Sequence, residues 1–293
     1  MKQMPIAALA GVLALLLFGA PAVLAGESSL LVDERWLKAR LEDPGLRIVD
    51  MVSEPEGYQT GHVPGAVYLN INDSRVAVPA GGFRLPTADE GAHLLARLGI
   101  GPDTQVVIYD DTGGLNAARL FFTLDVFGHR KVAILDGGIQ AWRQAGNPLS
   151  RETRQVSGLG YRPTIDSGRV ASAEWVRDRL KDPAVRIVDA RSAAEYAGKD
   201  RRAKRGGHIP EAVNIEWRQN LNRDWTFKPV GELRAMYVAK GITPDKIVVT
   251  YCQTHHRAAH DYFVLRLLGY PRVIGYDRSW VEWGNRDDLP VEQ

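Results

Sequence analysis

The sequence predicts two homologous α/β domains, each built on an open, mainly parallel sheet flanked by helices. A chain of 293 residues is long enough for two domains of ordinary size. Residues 36–50 (WLKARLEDPGLRIVD) match residues 175–189 (WVRDRLKDPAVRIVD) at nine of fifteen positions. GHVPGAV at 61–67 and GHIPEAV at 207–213 match at five of seven positions. Repetition on this scale indicates a duplicated domain.

Short β-branched runs alternate with amphipathic stretches in each copy, which is the pattern of buried parallel strands connected by helices. Strands are predicted at 47–50, 105–109, 131–135, 186–189, 246–251 and 272–275. The clearest helices are predicted at 117–127 and 258–268. Open parallel sheets bind ligands beyond the carboxyl ends of their strands, so we expect the functional site there. Residues that recur in both copies are expected to be structural: His62 and His208, Trp142 and Trp283.

The amino terminus is typical of an export signal, since Lys2 precedes an uncharged stretch rich in Leu and Ala at 6–18. We predict a signal peptide at 1–25, cleaved after Ala25, and therefore a periplasmic or secreted protein. A retained membrane anchor is the alternative. The remaining boundaries are predicted as domain 1 at 28–150, a polar linker at 151–167 and domain 2 at 168–293.

Composition restricts the class of partner. Lys and Arg together number 37 and Asp and Glu 35, so no excess of positive charge points to nucleic acid. Cys252 is the only cysteine, which excludes an internal disulfide and a cysteine cluster for zinc or iron–sulfur binding. No motif calls for a cofactor or a resident metal. We expect small-molecule partners, a monomer, and no stable membrane association after signal removal.

Cys252 is the candidate catalytic residue. It directly follows the predicted strand 246–251 and precedes the predicted helix 258–268. The first N–H groups of a helix have no acceptor within the helix, so they attract anions and favour a thiolate. We therefore expect an accessible, nucleophilic thiolate in a loop of polar and cationic residues. The alternative is a small, buried apolar side chain.

These features together resemble the rhodanese family of sulfurtransferases. The resemblance rests on the tandem copies, an Asp at the end of the first long strand, the Gly-His-[Val/Ile]-Pro-x-Ala-Val segments, and a cysteine loop closed by Arg257 in the second copy only. It implies that domain 2 is catalytic. Cys252 would take a sulfane sulfur from a donor such as thiosulfate, become a persulfide, and pass the sulfur to cyanide or another thiophilic acceptor.

The resemblance also implies which residues bind the substrate. Arg191 matches the arginine that binds the anionic donor in this family; the alternative is a surface salt bridge with Glu195. The loop departs from the best-known family loops, and its residues are expected to bind the donor: Gln253, Thr254, His255, His256 and Arg257. Thiosulfate is the expected donor, because a small doubly charged anion suits such a pocket, and 3-mercaptopyruvate is the alternative. The role of Arg278, at a position where the family has glycine, stays open.

Other functions fit part of the pattern. A cysteine phosphatase or arsenate reductase also places a cysteine loop before a helix, but its signature encloses a longer loop than the four residues between Cys252 and Arg257. A non-enzymatic persulfide carrier or redox-sensing module stays open, as does a purely structural duplicated module. The repeat aligns Asp110 with Cys252, so domain 1 is predicted to lack sulfur-transfer activity and to wall one side of the catalytic cleft.

Overall fold

The computed structural model describes Met1 and residues 30–154, 156, 158 and 161–293. The predicted signal peptide, apart from Met1, and part of the predicted linker lie outside the described residues. Those predictions and the domain boundaries therefore stay predictions. Among the described residues, no helix has the length and apolar character needed to cross a membrane.

The first half of the chain forms a five-stranded sheet flanked by helices. Its elements are β1 (Leu31–Val32), α1 (Glu34–Lys38), β2 (Leu46–Asp50), α2 (Pro55–Thr60), β3 (Ala66–Tyr68), β4 (Val76–Ala77), β5 (Phe83–Arg84), α3 (Ala88–Leu98), β6 (Gln105–Tyr109), α4 (Leu115–Val126), β7 (Val132–Leu135) and α5 (Gly138–Gln144), with a 3₁₀ helix at Ile71–Ser74. The sheet order is β1-β7-β6-β2-β3, with every neighbouring pair parallel. β4 and β5 form a separate antiparallel hairpin.

The second half repeats this arrangement with four strands. Its elements are α6 (Ala173–Arg177), β8 (Val185–Asp189), α7 (Ala193–Tyr196), β9 (Ala212–Asn214), α8 (Val230–Ala239), β10 (Ile247–Tyr251), α9 (His256–Leu267), β11 (Val273–Gly275) and α10 (Ser279–Trp283), with 3₁₀ helices at Ser167–Arg169 and Trp217–Asn220. The sheet order is β11-β10-β8-β9, again with parallel neighbours. The predicted fold class is confirmed: two homologous α/β units with parallel sheets.

The residues that recur in both copies are structural, as predicted. The His62 ring stacks on Tyr58 with the ring centroids 3.8 Å apart. His208 stacks on Tyr196 in the same way at 3.6 Å. The rings of the two recurring tryptophans, Trp142 and Trp283, are fully buried.

The two halves share one apolar core. Helices α4 and α9 pack against each other, and Phe121 meets Phe263 edge-on with the ring centroids 4.9 Å apart. A single cluster of buried side chains contains residues from both halves, Cys252 among them. Because α4 follows β6 and α9 follows β10, the loops at the carboxyl ends of both strands lie beside this interface.

Candidate active site

Cys252 lies where β10 ends, in the loop that leads to α9. Its N–H donates to Ser279 Oγ at 3.3 Å, and its C=O accepts from the Trp280 N–H at 2.9 Å. Residues at the start of α10 therefore fix the main chain of the cysteine. The side chain is fully buried, whereas the sequence led us to expect an accessible thiolate. It is buried because it belongs to the core that the two halves share.

The loop after Cys252 offers main-chain hydrogen-bond donors. His255 has a φ of 55°, in the left-handed region that few non-glycine residues adopt. In the described part of the chain, the N–H groups of residues 253–255 have no hydrogen-bond acceptor. Together with the N–H groups of the first turn of α9, they form a site suited to an anion.

Arg257 is held in place by an acid. Its Nη1 and Nη2 donate to the two carboxylate oxygens of Glu195 at 2.5 and 2.8 Å. Burial works against the charge of Glu195, but the hydrogen bonds and charge of Arg257 lower the pKa of Glu195 to about 2. The guanidinium of Arg257 also attracts a thiolate at Cys252. A positive charge held by Glu195 thus stands in the same loop as the cysteine.

A pocket of about 500 Å³ opens beside the loop. Of the predicted substrate-binding residues, Gln253, Thr254, His256 and Arg257 line it. The other lining residues are Leu115, Ser192, Glu195, Arg202, Glu216, Trp217 and Arg218. The first half contributes Leu115, so the pocket spans the interface.

The two histidines of the loop carry no positive charge at neutral pH, contrary to the expectation from the sequence. The His255 ring is buried against Phe122, and its Nδ1 lies 3.4 Å from Arg119 Nη1. Burial lowers the pKa of His255 to about 3. His256 Nε2 lies 2.8 Å from Asn116 Oδ1, and burial together with nearby arginines lowers its pKa to about 3. His256 faces the pocket, whereas His255 is an interface residue.

Arg191 is bound by Asp189 and by the Gly207 carbonyl. Its Nη2 donates to Asp189 Oδ2 at 2.6 Å and to the Gly207 carbonyl at 2.8 Å, and its Nε lies 3.0 Å from both carboxylate oxygens of Asp189. Its guanidinium also lies over the Trp280 ring. The alternative pairing with Glu195 is wrong, because Glu195 binds Arg257. Arg191 is not among the residues that line the pocket, and neither is Cys252 itself. The predicted donor contact of Arg191 stays a prediction.

Reasoning from the sequence missed residues that the first half brings to this region. Arg119, on α4, is fully buried and donates to Asp277 Oδ1 at 2.6 Å. Asn116 accepts from His256, as described above. Arg75, which follows the first 3₁₀ helix, is close enough for its charge to interact with Cys252 and with His256. One sequence signal could have pointed to Arg75. It stands eight positions after Val67, as Leu221 stands eight positions after Val213, so the two copies differ at an equivalent position by an arginine in place of a leucine.

Arg278 connects the two halves. Its Nη1 donates to the Phe83 carbonyl and its Nη2 to the Gly81 carbonyl, both at 3.1 Å. The residue therefore holds the β4–β5 hairpin against the second half, and it does not line the pocket.

The corresponding loop of the first half is already occupied by a carboxylate. Asp110 is fully buried. Its Oδ1 accepts from the N–H groups of Thr112 and Gly114, and its Oδ2 from those of Asn116 and Ala117, at 2.7 to 2.9 Å. In the first half, the Asp110 carboxylate thus accepts the main-chain N–H groups of its loop. In the second half, Cys252 stands at the equivalent position and the loop keeps free N–H groups.

A family model described as "Rhodanese-like domain" matches residues 33–145 and again residues 172–286. The chain is 38% identical over 263 residues to a thiosulfate sulfurtransferase of Azotobacter vinelandii, spanning 90% of this chain and 97% of that one. It is 38% identical over 275 residues to the sulfur carrier protein TtuD of Thermus thermophilus, spanning 89% of this chain and 96% of that one.

Solved structures share the fold. The crystal structure of YnjE matches with a TM-score of 0.81 and 26% identity, covering 90% of this chain and 68% of that chain. The anaerobic ergothioneine biosynthesis enzyme from Chlorobium limicola, solved with trimethyl histidine, matches with a TM-score of 0.81 and 25% identity, covering 90% and 70%.

Proposed function

We propose that this chain, which belongs to the family of rhodanese-like domains, moves a sulfane sulfur from thiosulfate or a similar donor to cyanide or another thiophilic acceptor through a persulfide of Cys252. The observation that carries the proposal is the setting of Cys252. It stands at a strand end, before free main-chain N–H groups, in a loop whose Arg257 carries a charge that attracts a thiolate. The full-length similarity to thiosulfate sulfurtransferases supports the same reaction.

The first step loads sulfur onto the enzyme. The Cys252 thiolate attacks the outer sulfur of thiosulfate, the sulfur–sulfur bond of the donor breaks, and sulfite leaves with the bonding electron pair. The product is a Cys252 persulfide anion, so the total charge is unchanged. Main-chain N–H groups of residues 253–255 and the Arg257 guanidinium stabilise the negative sulfur as it forms.

The second step returns the enzyme to its starting state. Cyanide attacks the outer sulfur of the persulfide, thiocyanate leaves, and the Cys252 thiolate is regenerated. No electrons are lost or gained by the protein over the cycle, and no proton transfer is required. The reaction therefore needs a nucleophilic sulfur and a cationic setting, both of which the second half provides.

Thiosulfate is the donor that we propose. Arg202, Arg218 and Arg257 line the pocket, while the two acids that line it are Glu195, which is paired with Arg257, and Glu216. This excess of positive charge favours a small dianion. A 3-mercaptopyruvate donor is the alternative, and its carboxylate would use the same charges.

A persulfide carrier without turnover is the second candidate. The similarity to a Thermus sulfur carrier protein and the complete burial of Cys252 favour it. A carrier would hold its sulfur as a persulfide received from a protein donor, and it would not be reloaded by thiosulfate, so it would release no thiocyanate catalytically.

The deciding experiment measures thiocyanate formed from thiosulfate and cyanide by the purified protein, beside Cys252→Ala. Many turnovers by the wild type and none by Cys252→Ala support the enzyme. At most one equivalent of thiocyanate, released from sulfur that the purified protein already carries, would favour the carrier. Equal rates for both proteins would contradict any role for Cys252. Replacing thiosulfate with 3-mercaptopyruvate in the same assay, and comparing kcat/KM, decides the donor.

We also propose that the protein is exported to the periplasm or secreted. The support is the signal-like segment at 1–25, which has an uncharged core and small residues before Gly26. Mass analysis of the protein from a cell fraction outside the cytoplasm would give a chain that begins at Gly26. A full-length chain retained in the membrane would favour the anchor.

A further inference from the structure

The two halves reach across to each other with equivalent segments. In the first half, a first hairpin (residues 75–84) follows the 3₁₀ helix Ile71–Ser74. In the second half, a second hairpin (residues 221–227) follows the 3₁₀ helix Trp217–Asn220, closed by pairing of Leu221 with Phe227. Each hairpin packs on the strand-end region of the other half.

The second hairpin covers the loop that Asp110 fills. The Phe227 N–H donates to Asp136 Oδ1 at 2.8 Å. Leu221 lies so close to Gly113 that a Cβ added there would lie 2.7 Å from Leu221 Cδ1. The first residue of this hairpin is therefore in contact with the loop at the carboxyl end of β6.

The first hairpin covers the catalytic loop in the corresponding way. Arg278 binds its carbonyls at Gly81 and Phe83, and the Leu85 N–H donates to Asp277 Oδ2 at 2.7 Å. The segment that receives it, 277–281, also holds the main chain of Cys252 through the Trp280 N–H. Arg75 is the first residue of this hairpin and the counterpart of Leu221. The repeat thus places an arginine in the hairpin that covers the catalytic loop, at a position where the other copy has an apolar residue.

Arg75 has hydrogen-bonding capacity left over. Its Nη2 donates to Asn72 Oδ1 at 2.7 Å, and its guanidinium lies over the Phe83 ring, 3.6 Å from the centroid. Its Nε is buried and has no hydrogen-bond partner among the described residues. Burial, and the charge of Arg119 nearby, lower its pKa to about 10, so the side chain stays charged at neutral pH. A buried N–H group of a partly exposed cation is costly to leave unpaired, and a bound anion would supply the missing acceptor.

Asp189 and the Gly207 carbonyl hold Nε and Nη2 of Arg191, whereas the Nε of Arg75 has no hydrogen-bond partner among the described residues. Resting on the proposed function, we infer that Arg75, supplied by the first half, binds the sulfonate end of the thiosulfate donor. It would hold that end while the Cys252 thiolate attacks the outer sulfur, and it would stabilise the departing sulfite. The first half would then supply a donor-binding residue to the active site, in addition to covering one side of it.

Steady-state kinetics test this assignment with Arg75→Gln, Arg75→Lys and, as a matched control, Arg97→Gln. Arg97 is an exposed arginine of the same half that pairs with Asp73. Loss of one charge-assisted contact is expected to raise the KM for thiosulfate about ten- to a hundredfold in Arg75→Gln. Arg75→Lys should recover part of the loss, and the KM for cyanide should not change. A KM for thiosulfate in Arg75→Gln equal to that of the control would overturn the inference.

A binding measurement separates this inference from the proposed function. Sulfite is titrated by calorimetry into the full chain carrying Cys252→Ser, with and without Arg75→Gln. Binding that weakens at least about tenfold with Arg75→Gln supports the anion site even if turnover is absent. Equal binding by the two proteins, or no binding by either, overturns it even if thiocyanate is produced.

Discussion

Asp50 and Asp189 occupy the same position of the repeat, at the ends of β2 and β8, but only one of them has a cationic partner. Asp189 is bound by Arg191, whereas Val52 stands at the position corresponding to Arg191. Burial raises the pKa of Asp50 to about 6, although Tyr109 and the Val52 N–H donate to it. Arg191 therefore compensates the buried charge of Asp189, whereas the buried Asp50 of the first copy has no such partner.

Replacing Asp50 should make stability depend less on pH. With its pKa raised from 3.8 to about 6, the folded protein binds this proton more tightly than the unfolded chain. The tighter binding of this proton stabilises the folded state fully below about pH 4, and this stabilisation is lost as the pH rises through about 6. The free energy of unfolding falls by about 3 kcal/mol over that range. Asp50→Asn should raise the melting temperature relative to wild type more at neutral than at acid pH. The same difference at both pH values would contradict this pKa.

Arg191→Leu should destabilise the fold by about 3 to 5 kcal/mol, because it leaves Asp189 buried without its partner. The double variant Asp189→Asn/Arg191→Leu should recover a large part of that loss in urea unfolding. The KM of the double variant for thiosulfate then tests the predicted donor contact of Arg191 free of the stability effect. A single variant as stable as wild type would show that Arg191 has no structural role.

At the scale of elements, the loops after β6 and β10 differ in the side chain at their first position, which is Asp110 in one and Cys252 in the other. The Asp110 carboxylate accepts four main-chain N–H groups, and burial raises its pKa. Asp110→Ala should cost about 2 to 4 kcal/mol of folding free energy, since those donors lose their acceptor. Asp110→Asn, which keeps one acceptor oxygen, should cost less. Turnover per folded molecule should be unchanged in both, and a loss like that of Cys252→Ala would contradict the assignment.

The long elements could be predicted from the sequence, and the short ones could not. The strand predicted at 246–251 and the helix at 258–268 correspond to β10 (Ile247–Tyr251) and α9 (His256–Leu267), because a buried apolar run and an amphipathic period are local signals. The β4–β5 hairpin has two residues per strand, too few for any period. Its position depends on Arg278 and Asp277, which are distant in the sequence.

The same reason explains the parts of the site that were missed. Cys252 and Arg257 were found because the loop is contiguous and follows a predicted strand. Arg75 and Arg119 come from the other copy. The approach of Arg119 depends on how α4 packs on α9, and that of Arg75 depends on how the first hairpin packs on the second half. The neutral state of His255 and His256 also depends on burial at that interface, which the sequence does not show.

At the scale of the whole molecule, the halves depend on each other. The shared core contains Phe121, Phe122, Tyr262 and Phe263, and the first hairpin covers the segment beside Cys252. Expressing residues 167–293 alone should therefore reduce solubility or activity, because the face that meets α4 becomes exposed. Adding separately expressed 28–150 is the control for recovery. A fully soluble and fully active second domain would show that the first copy is dispensable.

The central claim is that Cys252 carries the sulfur between donor and acceptor. Intact-mass analysis of the full chain after incubation with thiosulfate tests it directly. One added sulfur atom is expected on the wild type, located to Cys252 by peptide mapping, and cyanide should remove it with release of one equivalent of thiocyanate. An unmodified wild-type chain, or the same added mass on Cys252→Ser, would contradict the claim.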